Sequence, residues 1–165
     1  MALRIALADL SDPAIRSLLA THAASCAATS PPESCHFLPL EGLDVPEVTV
    51  WAAWDGPELA GIGALKALSP EAGEIKSMHT AAAHRGQGVG AALLAAIQTE
   101  ARARGYLSLW LETGATAPFA AARALYERQG FHPCGPFGAY RLDPHSAYYT
   151  KSLAPKSVTP MEARA

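Results

Sequence analysis

The stretch Arg85-Gly86-Gln87-Gly88-Val89-Gly90-Ala91-Ala92 sets three glycines at alternate positions, shortly after a strand pattern and at the opening of a helical one. Glycine adopts positive φ without steric cost and carries no Cβ. A turn of this kind can aim several free backbone N–H groups at one anion, reinforced by the positive end of the helix dipole. It reads as a phosphate or pyrophosphate cradle. The flanking sequence supports that placement. From Gly88 to Arg104, residues Val89, Leu93, Ile97 and Ala101 recur at helical spacing, and Gly105 is the stop. Tyr106 to Glu112 then alternates, with Leu107, Leu109 and Leu111 on one face and Tyr106, Ser108, Trp110 and Glu112 on the other. The result is a strand-helix-strand unit, for which a right-handed crossover is the rule.

Elsewhere the elements are short and separated by prolines and glycines. Leu3 to Leu7 reads as a first strand, and Ser11 or Asp12 before Pro13 starts a helix to about Ala28. Residues 29–47 hold Pro31, Pro32, Pro39, Gly42 and Pro46, an irregular segment with room for one helical turn. Val48–Trp54 and Glu58–Lys66 flank Asp55-Gly56-Pro57, and Ser69-Pro70 with Gly73 turns into a strand from Glu74 to Thr80, an antiparallel meander. Pro118 opens a second helix carrying Phe119, Ala122 and Tyr126, which Gly130 ends before Phe131. Two strands near Gly138–Leu142 and Ala147–Leu153 close a domain spanning 1–153. The tail 154–165 is expected to be flexible.

The chain has 165 residues, 50% hydrophobic and 17% charged, with formal net charge −2, which is the scale of one domain and argues against an extended nucleic-acid footprint. The longest apolar run, Ala91 to Ile97, is too short to cross a bilayer. Cys26, Cys35 and Cys134 are an odd number at wide spacings without metal-ligand rhythm, so reduced thiols, a cytoplasmic setting and no metal are expected.

Three phosphate-binding loops compete for the glycines. A Walker A loop needs Lys-Ser/Thr where Ala91-Ala92 stands, so it fails. A Rossmann fingerprint is met by Gly86, Gly88 and Ala91, with Glu112 at the next strand's end. Residues Ala81 to Arg85, however, separate strand from glycines, and an antiparallel meander is foreign to a doubly wound sheet. The third pattern, R-x-x-G-x-G, is met by Arg85, Gly88 and Gly90. With the strand ending Met78-His79-Thr80, and with Ala122-Arg-Ala-Leu-Tyr126-Glu-Arg-Gln-Gly130-Phe131, it resembles the GNAT superfamily of acetyl-CoA-dependent N-acetyltransferases. The wider resemblance spans about residues 2 to 153.

That resemblance implies a mixed α/β fold: a central, mostly antiparallel twisted sheet with one parallel strand pair splayed around the cofactor, and helices on both faces. It implies acetyl-CoA as co-substrate, a small amine or amino acid as acceptor, and a monomer or homodimer with no nucleic-acid or membrane partner. A Rossmann-like oxidoreductase and a non-catalytic acyl-CoA-binding module are the alternatives. By the same resemblance, Gln87, Gly88, Val89, Gly90 and Ala91 would hold the pyrophosphate through backbone N–H groups, with Arg85 and Gly86 at the loop's entrance. Met78, His79 and Thr80 would line the pantetheine arm. The family often has an asparagine where Phe119 stands, a departure that removes one side-chain contact and leaves Arg123 as a substitute phosphate contact.

Amide formation from a thioester needs a neutral amine, a polarised carbonyl and a proton for the departing thiolate. Tyr126 matches the family's general acid, although helical spacing alone would make it a core aromatic. Glu74, on the strand before the loop, is the first choice as base and Glu112 the second. His79, His84 and His132 read as surface or packing residues. Ser34–Leu40 and Phe137–His145 would shape the acceptor pocket. His36, Arg141 and His145 are available to a carboxylate there, and Phe37, Trp51, Trp54 and Tyr140 are candidate walls.

Overall fold

The computed structural model describes residues 2–153. The expected tail lies outside the described residues. The chain forms β1 (Leu3–Leu7), α1 (Pro13–Thr29), a one-turn α2 (Leu40–Leu43), β2 (Val48–Asp55), β3 (Glu58–Ser69), β4 (Ala72–Thr80), α3 (Val89–Ala103), β5 (Ser108–Gly114), α4 (Ala120–Arg128), β6 (His132–Cys134) and β7 (Ser146–Ser152), with 3₁₀ turns at 32–34, 82–84 and 117–119. One seven-stranded sheet has the order β1-β2-β3-β4-β5-β7-β6. β4 and β5 run parallel, and the other neighbours are antiparallel.

Successive strand residues face opposite sides, and the sheet buries both. Leu65, Ile75, Leu109 and Leu111 join Val89, Leu93, Ile97 and Ala101 of α3 in the larger core. Ala64 and Val50 meet Leu43 of α2 and Leu19 of α1 on the other face. Helices thus cover both faces. α3 sits close because β3 is small where they cross. A Cβ on Gly61 would lie 2.7 Å from Val89 Cγ1, and one on Gly63 would lie 3.2 Å from Ile97 Cδ1. α1 begins as expected, with the Asp12 carboxylate accepting from the Ala14 N–H at 2.8 Å and Pro13 at the first position.

Several expected elements shift. β5 starts at Ser108, because Tyr106 turns inward against Gly73 and Leu65, leaving Leu107 49% exposed. Gly73 belongs to β4 rather than to the turn before it. Pro118 lies in the 3₁₀ turn, and α4 begins at Ala120. Gly138–Leu142 is not a strand. Gly138 turns the chain with φ +57, the Tyr140 N–H donates to the Phe137 carbonyl at 3.0 Å, and the Tyr148 hydroxyl donates to the Arg141 carbonyl. The loop folds over the sheet instead, and the outer position goes to β6. Its Pro133 is tolerated because the strand is an edge.

Candidate active site

The parallel pairing of β4 with β5 ends at Ile75 opposite Leu111. Beyond that point the strands diverge, because Ser77 inserts an extra residue into β4: β3 pairs Ala64 with Lys76 and Ile62 with His79, so Ser77 and Met78 face one partner residue. Ser77 takes φ +56, the left-handed region that costs a residue with a side chain roughly 1–2 kcal/mol. The bulge also turns the next side chain. Met78 lies on the α3 face near Gly63, while His79 lies on the α1 face, its Nδ1 3.0 Å from His22 Nδ1.

The gap between the strands is a cavity of about 110 Å³. Ile75, Lys76, Ser77 and Met78 line one side; Glu112, Thr113 and Gly114 line the other, and Ala122 and Tyr126 of α4 form an end wall. His22 and Cys26 of α1, Ser30, residues 34–37 and Phe119 complete it. Tyr126 is buried against Phe131 and Tyr149, and burial first, then the nearby Glu112 charge, pushes its phenol well above the usual range. It holds its proton. Glu112 accepts from the Ser146 hydroxyl at 2.8 Å, and burial raises its carboxyl above the ordinary carboxylate value. Ser77 Oγ is buried without a hydrogen-bond partner.

The two candidate bases are therefore separated. Glu112 shares the cavity with Tyr126, whereas Glu74 lines a neighbouring groove of about 400 Å³ with Lys66, Leu68, Phe137, Tyr140 and Arg141. The Glu74 carboxylate is already engaged. It accepts from Lys76 Nζ at 3.2 Å and from the Tyr140 hydroxyl at 2.5 Å, and Lys76 also donates to Tyr140 at 2.8 Å. This closed triangle is the partition between cavity and groove. His36 lines both and meets the Tyr140 ring edge-on at 5.0 Å. Of the other expected acceptor residues, Phe37 lines the cavity, and Arg141 lines only the groove. His145 lines neither and pairs with Asp143 at 3.3 Å. Trp51 is buried in the core and Trp54 lies beneath Arg4, so neither is a wall.

The glycine loop lies at the start of α3. Gly86 and Gly88 have φ +74 and +81, and a Cβ on either would meet nothing within 4 Å, so backbone conformation is what requires glycine there. Gly90 is different. A Cβ there would lie 2.8 Å from Leu125 Cδ2 of α4. No side chain caps α3 and its first turn has no acid, so the N–H groups of Val89, Gly90 and Ala91 have no intrahelical acceptor. Arg85, Gly86, Gln87 and Gly88 are exposed beside them. Arg123 points elsewhere: its Nη1 donates to the Gly114 and Thr116 carbonyls at 2.8 Å each, tying α4 to the end of β5.

Lys76, Ser77 and His22 were not singled out from the sequence. A left-handed serine and a histidine pair 57 positions apart leave no local signature. Burial, followed by the His79 and Lys76 charges, lowers His22 to about 4, so it is a neutral ring at the cavity wall. Cys26 beside it is raised to about 11, chiefly by burial, which makes it an unreactive thiol.

The chain has sequence relatives and its fold has structural counterparts. Residues 15–131 match the model of the acetyltransferase (GNAT) family. The uncharacterized N-acetyltransferase YsnE of Bacillus subtilis (strain 168) is 50% identical over 151 residues, covering 92% of this chain and 100% of that one. A crystal structure of a candidate acyl-CoA N-acyltransferase from Klebsiella pneumoniae superposes with TM-score 0.74 at 31% identity, covering 92% and 97% of the two chains. A GNAT family acetyltransferase from Elizabethkingia anophelis, solved with acetyl-CoA bound, superposes with TM-score 0.66 at 20% identity over 92% and 98%. The chain belongs to the acetyltransferase (GNAT) family and is an acyltransferase.

Proposed function

We propose that the protein moves an acetyl group from acetyl-CoA to a primary amine of a small molecule or amino acid, by direct attack within a ternary complex in the cytoplasm. One observation carries this reading: the parallel strands part at Ile75 and Leu111 over a cavity that holds Tyr126 and Glu112 together. Acetyl-CoA would supply an acetyl thioester. The residues fit it: uncapped N–H groups of Val89, Gly90 and Ala91 suit the pyrophosphate, with Arg85 adding charge. The β5-facing backbone of Met78 and Thr80, left without a strand partner by the splay, suits the pantetheine amides.

Within the cavity Glu112 takes the proton from the acceptor's ammonium, and its raised carboxyl brings it closer to the working pH of a base. Glu74 is tied to Lys76 and Tyr140 and holds the wall. Tyr126, a phenol that keeps its proton, donates it to the departing thiolate. Ser77 Oγ, buried without a partner at the bulge, gives its hydrogen bond to the bound thioester arm.

A panel of amines and amino acids assayed for thiol release tests the reading. Acetyl-CoA-dependent release with at least one class of acceptor is expected. Binding without release across the panel would leave a non-catalytic acyl-CoA module. Thermal stabilisation by NADH or NADPH and none by acetyl-CoA would return the loop to the Rossmann reading, since a ligand at 100 times its dissociation constant adds about 2.7 kcal/mol.

A further inference from the structure

Away from the cavity, the β2–β3 hairpin sets Asp55 directly opposite Glu58 across the Gly56-Pro57 turn. Like charges facing each other across a strand pair are destabilising. Among the described residues, neither carboxylate has any ionic or hydrogen-bonded partner except the ring they share, that of His84. His84 ends the 3₁₀ turn before the glycine loop and is 6% exposed. Its Nε2 faces Glu58 Oε2 at 3.3 Å and Asp55 Oδ2 at 3.5 Å, yet neither ring nitrogen makes a hydrogen bond, and Nδ1 is enclosed without a partner.

A buried imidazole aimed between two opposed carboxylates, with no hydrogen bond of its own, is placed as a ligand. The three donor atoms lie within 4.8 Å of one another. Ligands about 2.0–2.1 Å from a tetrahedral zinc-type ion stand roughly 3.3–3.4 Å apart, and His84 Nε2 stands 3.3 Å from Glu58 Oε2 and 3.5 Å from Asp55 Oδ2. We propose that Asp55, Glu58 and His84 bind one divalent transition ion of the zinc class, completed by water. One imidazole with two carboxylates selects such an ion over magnesium, which prefers an all-oxygen octahedron. The ion neutralises the hairpin's facing charges and pins its tip to the residue before Arg85, at the entrance of the glycine loop. This departs from the expectation that the chain takes no metal, and it does not depend on the acetyl-transfer reading.

Calorimetric titration of the metal-stripped full chain with zinc chloride, with magnesium chloride in parallel, tests the site. Saturable zinc uptake with a raised melting temperature is expected, and no magnesium response. In Glu58→Gln, whose side chain is 69% exposed and therefore dispensable for folding, zinc affinity should fall at least about tenfold. Asp55→Asn should do the same. Absence of zinc uptake by the wild type overturns the proposal. So does unchanged uptake in both variants, which would place the ion at other thiols or histidines.

Discussion

Ser77→Ala removes one buried hydroxyl and leaves the Cβ and the left-handed backbone of the bulge in place. In the free protein that hydroxyl has no partner, so its desolvation is uncompensated by about 1–3 kcal/mol. Alanine recovers most of this and loses no contact larger than one oxygen. For a chain of this length each kcal/mol moves the melting temperature by about 2–4 °C, so a rise of roughly 2–8 °C is expected. Binding should respond in the opposite sense. If the hydroxyl bonds the thioester arm, its loss costs about 0.5–1.5 kcal/mol, a roughly 2- to 12-fold weaker acetyl-CoA dissociation constant. Calorimetric melting and acetyl-CoA titration on one preparation read both effects. A lower melting temperature would mean that Ser77 is satisfied in the folded protein. A higher one with unchanged acetyl-CoA affinity would leave it an orphan without a ligand, refuting its place in binding.

Tyr126→Phe keeps the packing against Phe131 and Tyr149 and should lower kcat by roughly 10- to 10⁴-fold with acetyl-CoA affinity nearly intact; a kcat within twofold of wild type returns Tyr126 to the core. Glu112→Gln should abolish the acid limb of the kcat/KM profile, whereas Glu74→Gln should retain it; the reverse result restores Glu74 as base. Because burial raises the folded Glu112 carboxyl, its penalty is absent below the unfolded value and grows as pH rises through the folded one. Glu112→Gln should therefore gain stability over wild type near neutrality and converge with it in acid, as denaturant melts across pH would record. Gly88→Val, at φ +81, and Gly90→Val, against Leu125, should weaken acetyl-CoA binding more than folding, and calorimetry showing equal affinity would move the pyrophosphate elsewhere.

Much of the fold was legible because it rests on local rules. Asp12 before Pro13 starts α1, the 3.6-residue recurrence of Val89, Leu93, Ile97 and Ala101 marks the buried face of α3, and two of the three loop glycines, Gly86 and Gly88, take positive φ. The ordered pattern of loop and Ala122–Phe131 also identified the family, since its spacing is carried along the chain itself. The last strands were not legible. Gly138–Leu142 alternates as a strand would, but Tyr140 is drawn to Glu74 and Lys76, 66 and 64 positions away, and the edge passes to His132–Cys134. The order in which the sequence places Glu74 ahead of Glu112 rests on no local signal, because both are glutamates on neighbouring strands. By itself the sequence determined the order of elements from β1 to α4 and the glycine turn ahead of α3, set by periodicity and backbone conformation within a few residues, while Tyr126 was marked only by the family pattern around it. Tertiary structure alone decided which carboxylate meets Tyr126, that β4 bulges at a non-glycine residue, and that His84 lies buried between Asp55 and Glu58. Those outcomes depend on which distant side chains desolvate one another, and no local pattern records that.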